Sequence, residues 1–269
     1  MHRMTSTQRD LARTFRALHH GRDLLVLPNA WDAGSARLVE QCGAAAIATS
    51  SAAMSWAHGV PDGEHLEVDV LVSTVREIVR AVRIPVSVDV ERGYGNVPEL
   101  IDAVIDAGAI GINLEDGSDA PDVLARKIDA AREVAARRGV ELFVNARTDV
   151  YLRGLVPSDH AVDEVIRRGT AYVAAGCDGL FVPRLVDAAH IAAIAAAARA
   201  PLNVLAMPER APMSELHALG VRRVSVGTGL AQAALATVRR ATTELLGHRT
   251  SAMFAERIPV PELNALFAR

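Results

Sequence analysis

Residues 84–116 read IPVSVDVERGYGNVPELIDAVIDAGAIGINLED, and the order of patterns in this stretch indicates the fold. Val86–Asp89 has the β-branched and aliphatic composition of a buried strand. Val97–Ala107 then repeats apolar residues at helical spacing, and Gly108 follows as a typical helix C-cap. Ile112–Glu115 predicts a second strand. A strand, a helix and a strand in this order predict a βα repeat with parallel strands.

The same alternation extends along the chain. Eight strands are predicted, at Leu24–Leu27, Ala46–Thr49, Val86–Asp89, Ile112–Glu115, Leu142–Ala146, Gly179–Val182, Leu202–Leu205 and Arg223–Val226. Helical periodicity fills the gaps, for example over Asp69–Val82, Val162–Ala175 and Asp187–Arg199. Eight βα units fit a closed (β/α)8 barrel better than an open doubly wound sheet. No G-x-G-x-x-G follows the first strand, which disfavours a dinucleotide site.

The chain shows no polar linker, so we expect one (β/α)8 domain over residues 1–269. An amphipathic segment, Thr7–His20, precedes the first strand and is expected to cap the barrel floor. Thr228–Leu246 and a tail that contains Pro259 and Pro261 predict additional C-terminal helices.

Composition excludes several classes of protein. The 29 basic and 32 acidic residues give a net charge of −3, without the basic excess of a nucleic-acid or anionic-membrane binder. No apolar run is long enough to span a bilayer, and the first residues lack the apolar core of a signal peptide, so we expect a cytoplasmic protein. Lys127, the only lysine, lies in an amphipathic helix, which disfavours a Schiff-base aldolase.

Three acids lie at the predicted carboxyl ends of neighbouring strands, where barrel enzymes have their active sites. Asp89 and Glu91 are two residues apart, so both side chains leave the same side of their strand. Glu115 ends the next strand. Adjacent strands lie about 4.8 Å apart, so the three carboxylates would repel one another without a hard cation. The pattern predicts a Mg2+ site, with helix caps as the competing interpretation.

Other polar residues follow neighbouring strands. Asn145 and Arg147 alternate on one face of the fifth strand, and Arg147 offers a planar fork either for a substrate anion or for a salt bridge with Asp149 or Glu115. Ser50 and Ser51 follow the second strand and could bind an anion through N–H and hydroxyl groups. His58 is the nearest imidazole to this region and a candidate proton carrier, although a lone loop histidine is more often incidental.

From Leu24 to Gly229, the chain resembles the isocitrate lyase/phosphoenolpyruvate mutase superfamily. The resemblance is carried by SVDVERGYG (residues 87–95) and GINLED (111–116), and it is supported by PNAWDAGSA (28–36), GVPD (59–62) and NAR (145–147). It implies a Mg2+-dependent barrel, with Mn2+ as an alternative ion, that acts on small 2-oxo or 2-hydroxy acids through an enolate. It also implies a homodimer or homotetramer in which residues 245–269 form a helical tail used in oligomer contacts.

The resemblance also implies a role for each site residue. Asp89, Glu91 and Glu115 would bind the metal, and Asp62 would assist near it. Ser50, Ser51 and Asn145 would bind the substrate, and Arg147 would hold its far end.

The chain departs from the family pattern at the lid. The lyases carry a Lys-Lys/Arg-Cys-Gly-His loop after the fourth strand, whereas this chain has Gly117–Leu124, without Cys, Lys or His. Glu91 also replaces the usual aspartate. We therefore expect a carbon–carbon lyase or decarboxylase that cleaves a bond to C3. The alternatives are a phosphoenolpyruvate mutase or phosphonopyruvate-type C–P enzyme and a degenerate barrel that binds a metabolite without turnover.

Overall fold

Parallel strands form a nearly closed barrel in the computed structural model, which describes residues 6–208, 212–248, 251–255 and 257–268. The strands within these ranges are β1 (Leu25–Leu27), β2 (Asn29–Ala30), β3 (Ile47–Thr49), β4 (Val86–Asp89), β5 (Gly111–Glu115), β6 (Phe143–Arg147), β7 (Gly179–Phe181), β8 (Leu202–Leu205) and β9 (Val221–Ser225). Their order in the sheet is β1-β9-β8-β7-β6-β5-β4-β3-β2. Eight of them match predicted strands within one or two residues, and β2 is a short addition. The (β/α)8 prediction is confirmed.

The barrel closes at Pro28, which lacks an N–H and separates β1 from β2. β1 pairs with β9, whereas β2 pairs with β3. The Asn29 side chain spans this seam, because its Nδ2 donates to the Thr49 carbonyl (2.7 Å) and its Oδ1 accepts from the N–H groups of Val226 (3.0 Å) and Gly227 (2.9 Å). The two ends of the sheet are therefore joined by one side chain.

Helices cover the outside of the sheet. They are α1 (Ser6–His20), α2 (Ala33–Gln41), α3 (Ser51–Ala57), α4 (Val68–Ala81), α5 (Val97–Asp106), α6 (Pro121–Arg138), α7 (Val150–Arg153), α8 (Ala161–Ala174), α9 (Ala188–Ala197), α10 (Met213–Ala218), α11 (Gly229–Leu246), α12 (Ser251–Ala255) and α13 (Val260–Phe267), with a 3-10 turn at Ser158–His160. Among the described residues, none of these helices has the length and apolarity that crossing a membrane requires.

Helix α1 blocks the amino-terminal end of the barrel, as predicted. Phe15 is fully buried and meets the ring of Phe143 edge to face, with 5.3 Å between the centroids. His19 stacks on the same ring at 4.0 Å, and Arg16 forms an ion pair with Asp178 (2.8 Å). Because the floor is closed, the carboxyl ends of the strands are the natural place for a site.

Candidate active site

The predicted metal-binding acids come together at the carboxyl ends of β4 and β5. Asp89 ends β4, Glu115 ends β5, and the N–H of Glu115 donates to the carbonyl of Glu91 (2.9 Å). Asp62, in the loop between α3 and α4, joins them through Ser51, whose hydroxyl lies 3.0 Å from Asp89 Oδ2 and 3.3 Å from Asp62 Oδ1. The fold thus places four carboxylates in one small region.

Burial and mutual repulsion raise the pKa values of Asp89, Glu91 and Glu115. Burial raises the pKa of Asp89, although the charge of Arg147 opposes this. Burial, together with the charges of Asp89 and Asp62, raises the pKa of Glu91 to about 7. Burial also raises the pKa of Glu115 to about 8, against the effect of Arg147. This excess of negative charge favours a proton or a cation between the carboxylates.

Glu91 lies in a strained loop that orients its carboxylate. Glu91, Tyr94 and Glu64 all have left-handed φ values, of 49°, 50° and 63°, although none is a glycine. The Tyr94 hydroxyl donates to Glu91 Oε1 (2.8 Å), and the N–H of Glu64 donates to Oε2 (2.7 Å). The Glu64 carboxylate in turn accepts from the N–H of Tyr94 (2.7 Å). Both oxygens of Glu91 therefore have protein donors, which suits contact with an ion through water.

Arg147 lies between two acids. Its Nη1 pairs with Glu115 Oε2 (2.6 Å), while its Nε and Nη2 donate to the two carboxylate oxygens of Asp149 (2.7 and 3.1 Å). Burial alone would lower the pKa of Arg147, but the charges of Glu115 and Asp149 raise it above its usual value. A guanidinium has five N–H donors, so two remain for a ligand. Arg147 therefore forms the salt bridges that the sequence offered as one interpretation, and its two other N–H groups could still bind a substrate anion.

The two predicted serines have different surroundings. Ser50 is the N-cap of α3, and its hydroxyl accepts from the N–H of Ala53 (3.4 Å). Ser51 donates both its N–H (3.3 Å) and its hydroxyl (3.0 Å) to Asp89 Oδ2. Ser51 therefore orients a metal-ligand candidate, and binding of a substrate carboxylate by the serines stays a prediction.

His58 and Asn145 are not brought to the carboxylates. His58 is exposed, and its Nε2 lies 3.2 Å from the Thr74 hydroxyl on α4. Asn145 is buried inside the barrel, where its Nδ2 donates to Asn113 Oδ1 (2.9 Å) and Asn203 Oδ1 (3.1 Å). Asn145 thus belongs to a layer of side chains below Arg147. The roles predicted for both residues stay predictions.

A buried cation, which the sequence pattern does not predict, shares this lower layer. Arg223 of β9 is fully buried, and its Nη2 donates to Asn113 Oδ1 (3.2 Å). Burial lowers the pKa of Arg223 to about 9, while the charge of Asp89 opposes the shift. Arg223 therefore places positive charge inside the barrel, near the metal-ligand candidates. The sequence indicates this buried arginine only through its position within a predicted strand.

The carboxylates fit a Mg2+ ion that is held partly through water. No three His, Cys, Asp or Glu side chains in the described ranges are arranged to bind one ion directly. Among described residues, no hydrogen bond reaches Asp89 Oδ1 or Glu115 Oε1, so both oxygens can face a cation. Carboxylate oxygens with several retained waters are the usual environment of Mg2+. Asp89 and Glu115 would hold it directly, and Glu91 through water.

Only a short loop follows β5 before the next helix begins. Residues 116–120 connect β5 to α6, which already begins at Pro121. Half of the stretch that corresponds to the family's lid is therefore helical. The two cysteines are also unsuited to proton transfer at this site, because Cys42 caps α2, and burial raises the pKa of Cys177 to about 12.

Comparisons with known proteins agree with this geometry. The family model of phosphoenolpyruvate phosphomutase matches residues 15–246. The oxaloacetate decarboxylase of Ectopseudomonas mendocina is 30% identical, over 82% of this chain and 80% of its own.

Two solved structures are similar over nearly the whole chain. A Burkholderia cenocepacia J2315 protein, provisionally described as a lyase/mutase, is 36% identical, with a TM-score of 0.90 and 98% of each chain covered. A phosphonopyruvate hydrolase, solved with oxalate and Mg2+, is 26% identical, with a TM-score of 0.83 over 95% of this chain and 94% of its own.

Clustered carboxylates at the strand ends of a (β/α)8 barrel lie where barrel enzymes have their active sites. The chain belongs to the isocitrate lyase/phosphoenolpyruvate mutase superfamily, whose members are lyases or mutases.

Proposed function

We propose that this protein is a Mg2+-dependent lyase or decarboxylase that cleaves a bond to C3 of a small 2-oxo or 2-hydroxy carboxylic acid. The observation that carries the proposal is the group of buried acids, Asp89, Glu91 and Glu115, with raised pKa values beside Arg147. The relationship to an oxaloacetate decarboxylase and the oxalate–Mg2+ complex of a structural neighbour support it.

Each residue has a separate task in this proposal. Asp89 and Glu115 hold the ion, and Ser51 fixes the orientation of Asp89. When bound, a Mg2+ ion would supply Lewis-acid stabilisation of the negative charge that develops as the C3 bond breaks. Arg147 binds the distal anion with its two remaining N–H groups, while Glu115 and Asp149 keep the guanidinium plane fixed.

Cleavage of a 2-oxo acid leaves an electron pair at C3, which then takes up a proton. Cleavage of a 2-hydroxy acid also requires a base that accepts the proton of the 2-hydroxyl group. Asp62, which was predicted to assist near the metal, is better placed for this proton transfer than His58, because it is exposed and shares the Ser51 hydroxyl with Asp89. His58 is bonded to Thr74 instead. Comparing Asp62→Asn with His58→Gln assigns the proton transfer. Only replacement of the residue that supplies the proton should lower kcat by a large factor.

The test is a turnover screen in buffered Mg2+ with oxaloacetate, 2-methylisocitrate, 2,3-dimethylmalate and phosphonopyruvate. We expect cleavage of one of the first three, abolished by EDTA and restored by Mg2+. Asp89→Ala is the matched control, because Mg2+ in solution already decarboxylates oxaloacetate slowly.

The screen also separates the alternatives. If phosphonopyruvate alone were turned over, the protein would be a C–P enzyme instead. This second candidate is favoured by the match to the phosphoenolpyruvate phosphomutase family. Binding without turnover of any substrate would indicate a barrel that has lost catalysis.

We further propose that the protein works as a cytoplasmic homodimer or homotetramer in which the C-terminal helices contact a second copy. Support comes from α11, which carries exposed Leu235, Val238, Leu245 and Leu246. An apolar groove of about 1090 Å³ lies between α1, α2 and β1, and none of the described helices fills it. Apolar faces of this kind usually mark an interface.

A further inference from the structure

Asp116 follows the candidate ligand Glu115 but is bound by helix α8. The Asp116 carboxylate is fully buried. Its Oδ2 accepts from the hydroxyl of Tyr172 (2.6 Å) and from Arg168 Nη1 (2.8 Å), and its Oδ1 accepts from the N–H of Asp149 (2.9 Å). Three donors, one of them charged, make this a strong and well-defined set of hydrogen bonds.

These bonds connect α8 to Arg147 by two routes. The N–H of Asp116 donates to the carbonyl of Arg147 (3.1 Å), so Asp116 contacts the Arg147 backbone directly. Asp116 also fixes the N–H of Asp149, whose carboxylate holds the Arg147 guanidinium with bonds of 2.7 and 3.1 Å. Both the backbone and the side chain of Arg147 therefore depend on Asp116.

Arg168 also fixes the short turn after β5. Its Nη1 donates to the carbonyl of Asp119 (2.9 Å), and the N–H of Asp119 donates to the carbonyl of Asp116 (2.8 Å). Arg168 is itself oriented by Glu164, which accepts from its Nε (2.6 Å). Arg168 and Tyr172 are four residues apart, so one face of α8 presents both groups to Asp116.

Tyr172 remains a donor throughout the neutral pH range. Burial and the charge of Asp116 raise the pKa of Tyr172, so the phenol keeps its proton. Removing its hydroxyl would leave the buried Asp116 carboxylate with one donor fewer, while the ring would still fill its space in the core.

We propose that Arg168 and Tyr172 are positioning residues that act through Asp116 to hold Arg147 where it binds the distal anion of the substrate. The inference rests on the proposed function. It predicts that ligands with a distal anion lose affinity when α8 is altered, whereas ligands that engage the metal alone do not.

The experiment compares two ligands by calorimetry in the presence of Mg2+: oxalate, which has no distal group, and 3,3-difluorooxaloacetate, which has one. For Tyr172→Phe and Arg168→Met, we expect the Kd of difluorooxaloacetate to rise about tenfold, the effect of losing one good hydrogen bond. The Kd of oxalate should change by less than about twofold. Arg147→Ala gives the effect of removing the anion-binding group altogether.

Arg167→Met is the matched control on α8. Arg167 is exposed and pairs with Glu164 (2.7 Å), without any described bond to Asp116. It should leave both Kd values unchanged. Because general loosening of the fold would weaken both ligands together, the ratio of the two Kd values separates positioning from stability.

The outcomes are distinguishable. If Tyr172→Phe and a folded Arg168→Met keep the parent ratio while Arg147→Ala changes it, the positioning role is wrong and the proposed function stands. If Arg168→Met does not fold, Tyr172→Phe decides, since it removes a single oxygen. If the parent binds neither ligand with Mg2+, or Arg147→Ala keeps the ratio, the proposed function fails and the inference fails with it.

Discussion

Arg147 balances the charges of two acids at the centre of the candidate site. Glu115 and Asp149 are both buried, and each forms an ion pair with its guanidinium (2.6 and 2.7 Å). Asp149 has a second cationic partner in Arg153 (2.9 Å), whereas Glu115 has none among the described residues. Loss of Arg147 would thus leave the buried Glu115 without a cationic partner, which is more costly than loss of an exposed pair.

We expect Arg147→Ala to lower the free energy of unfolding by about 3–5 kcal/mol, the usual cost of breaking a buried ion pair. Urea denaturation of the metal-free protein measures this change. Arg147→Lys keeps the charge but loses the fork of hydrogen bonds, so kcat/KM should fall about ten- to a hundredfold with a nearly unchanged Tm. A folded Arg147→Lys enzyme with full activity would contradict anion binding by Arg147.

At the level of residues, the sequence predicts which acids converge and misses how they are held. Asp89 and Glu115 end strands that follow each other in chain order, so their proximity follows from the parallel fold. The left-handed turn at Glu91 and Tyr94 has no equivalent signal in the pattern of apolar residues. The inward direction of Asn145 likewise depends on where β6 sits in the barrel.

At the level of elements, helix α1 closes the amino-terminal end of the barrel and contributes a buried imidazole, that of His19. His19 donates from Nδ1 to the carbonyl of Phe15 (2.8 Å) and stacks on Phe143. Burial, together with the positive charges of Arg223, His20 and Arg16, lowers the pKa of His19 to about 3, against the effect of the Phe15 bond. The ring is therefore neutral in the folded protein.

His19 should make stability fall on acidification. Between its unfolded pKa of 6.5 and its folded pKa of about 3, the unfolded chain binds a proton that the folded chain does not. The contribution is thus complete above 6.5 and is lost as the pH falls. At pH 5 the stability that has been lost amounts to about 2 kcal/mol, at about 1.4 kcal/mol per pH unit below 6.5.

The measurement compares the parent with His19→Gln by urea denaturation at pH 7.5 and 5. The stability difference between them should change by that amount, because Glu91 and Glu115 titrate in both proteins and cancel. A difference that is independent of pH would show that His19 is not held neutral.

Most elements could be predicted because apolar periodicity decides them. The exceptions are short. Strand β2 has two residues after a proline, and α3 is a seven-residue helix of small side chains, SAAMSWA, without an amphipathic repeat. The sequence does indicate that α6 starts at Pro121, because proline is favoured at the first position of a helix.

At the scale of the whole molecule, the barrel has an apolar face that the helices of the described ranges leave exposed. Val26 of β1 is 39% exposed beside the groove between α1 and α2. On α11, Val238 and Leu246 are 60% and 77% exposed. Two apolar surfaces on one chain match the expectation of an assembly of identical chains.

We expect analytical ultracentrifugation to give a dimer or tetramer for the parent and a smaller species for Val238→Glu and Leu246→Glu, because a charge in an apolar interface is costly. Ala233→Glu is the control, since this exposed residue lies on the opposite side of α11 by helical periodicity. A monomeric parent, or equal masses for all four proteins, would contradict the proposed interface.

The architecture of the whole molecule was predictable because eight βα units have few other closed arrangements. The identity of the substrate was not, because it depends on the short loops at the strand ends. Here the stretch Gly117–Leu124 differs from the family's lid in composition, since it lacks Cys, Lys and His.

We propose that Asp89, Glu91 and Glu115 form one divalent-cation site on which cleavage depends. Calorimetric titration of Mg2+ into the purified protein tests it most directly, with Glu133→Ala as the control for loss of an exposed acid on α6. The account predicts one site per chain in the parent and in Glu133→Ala, and no measurable binding in Asp89→Ala. An Asp89→Ala protein that binds Mg2+ as tightly as the parent would contradict it.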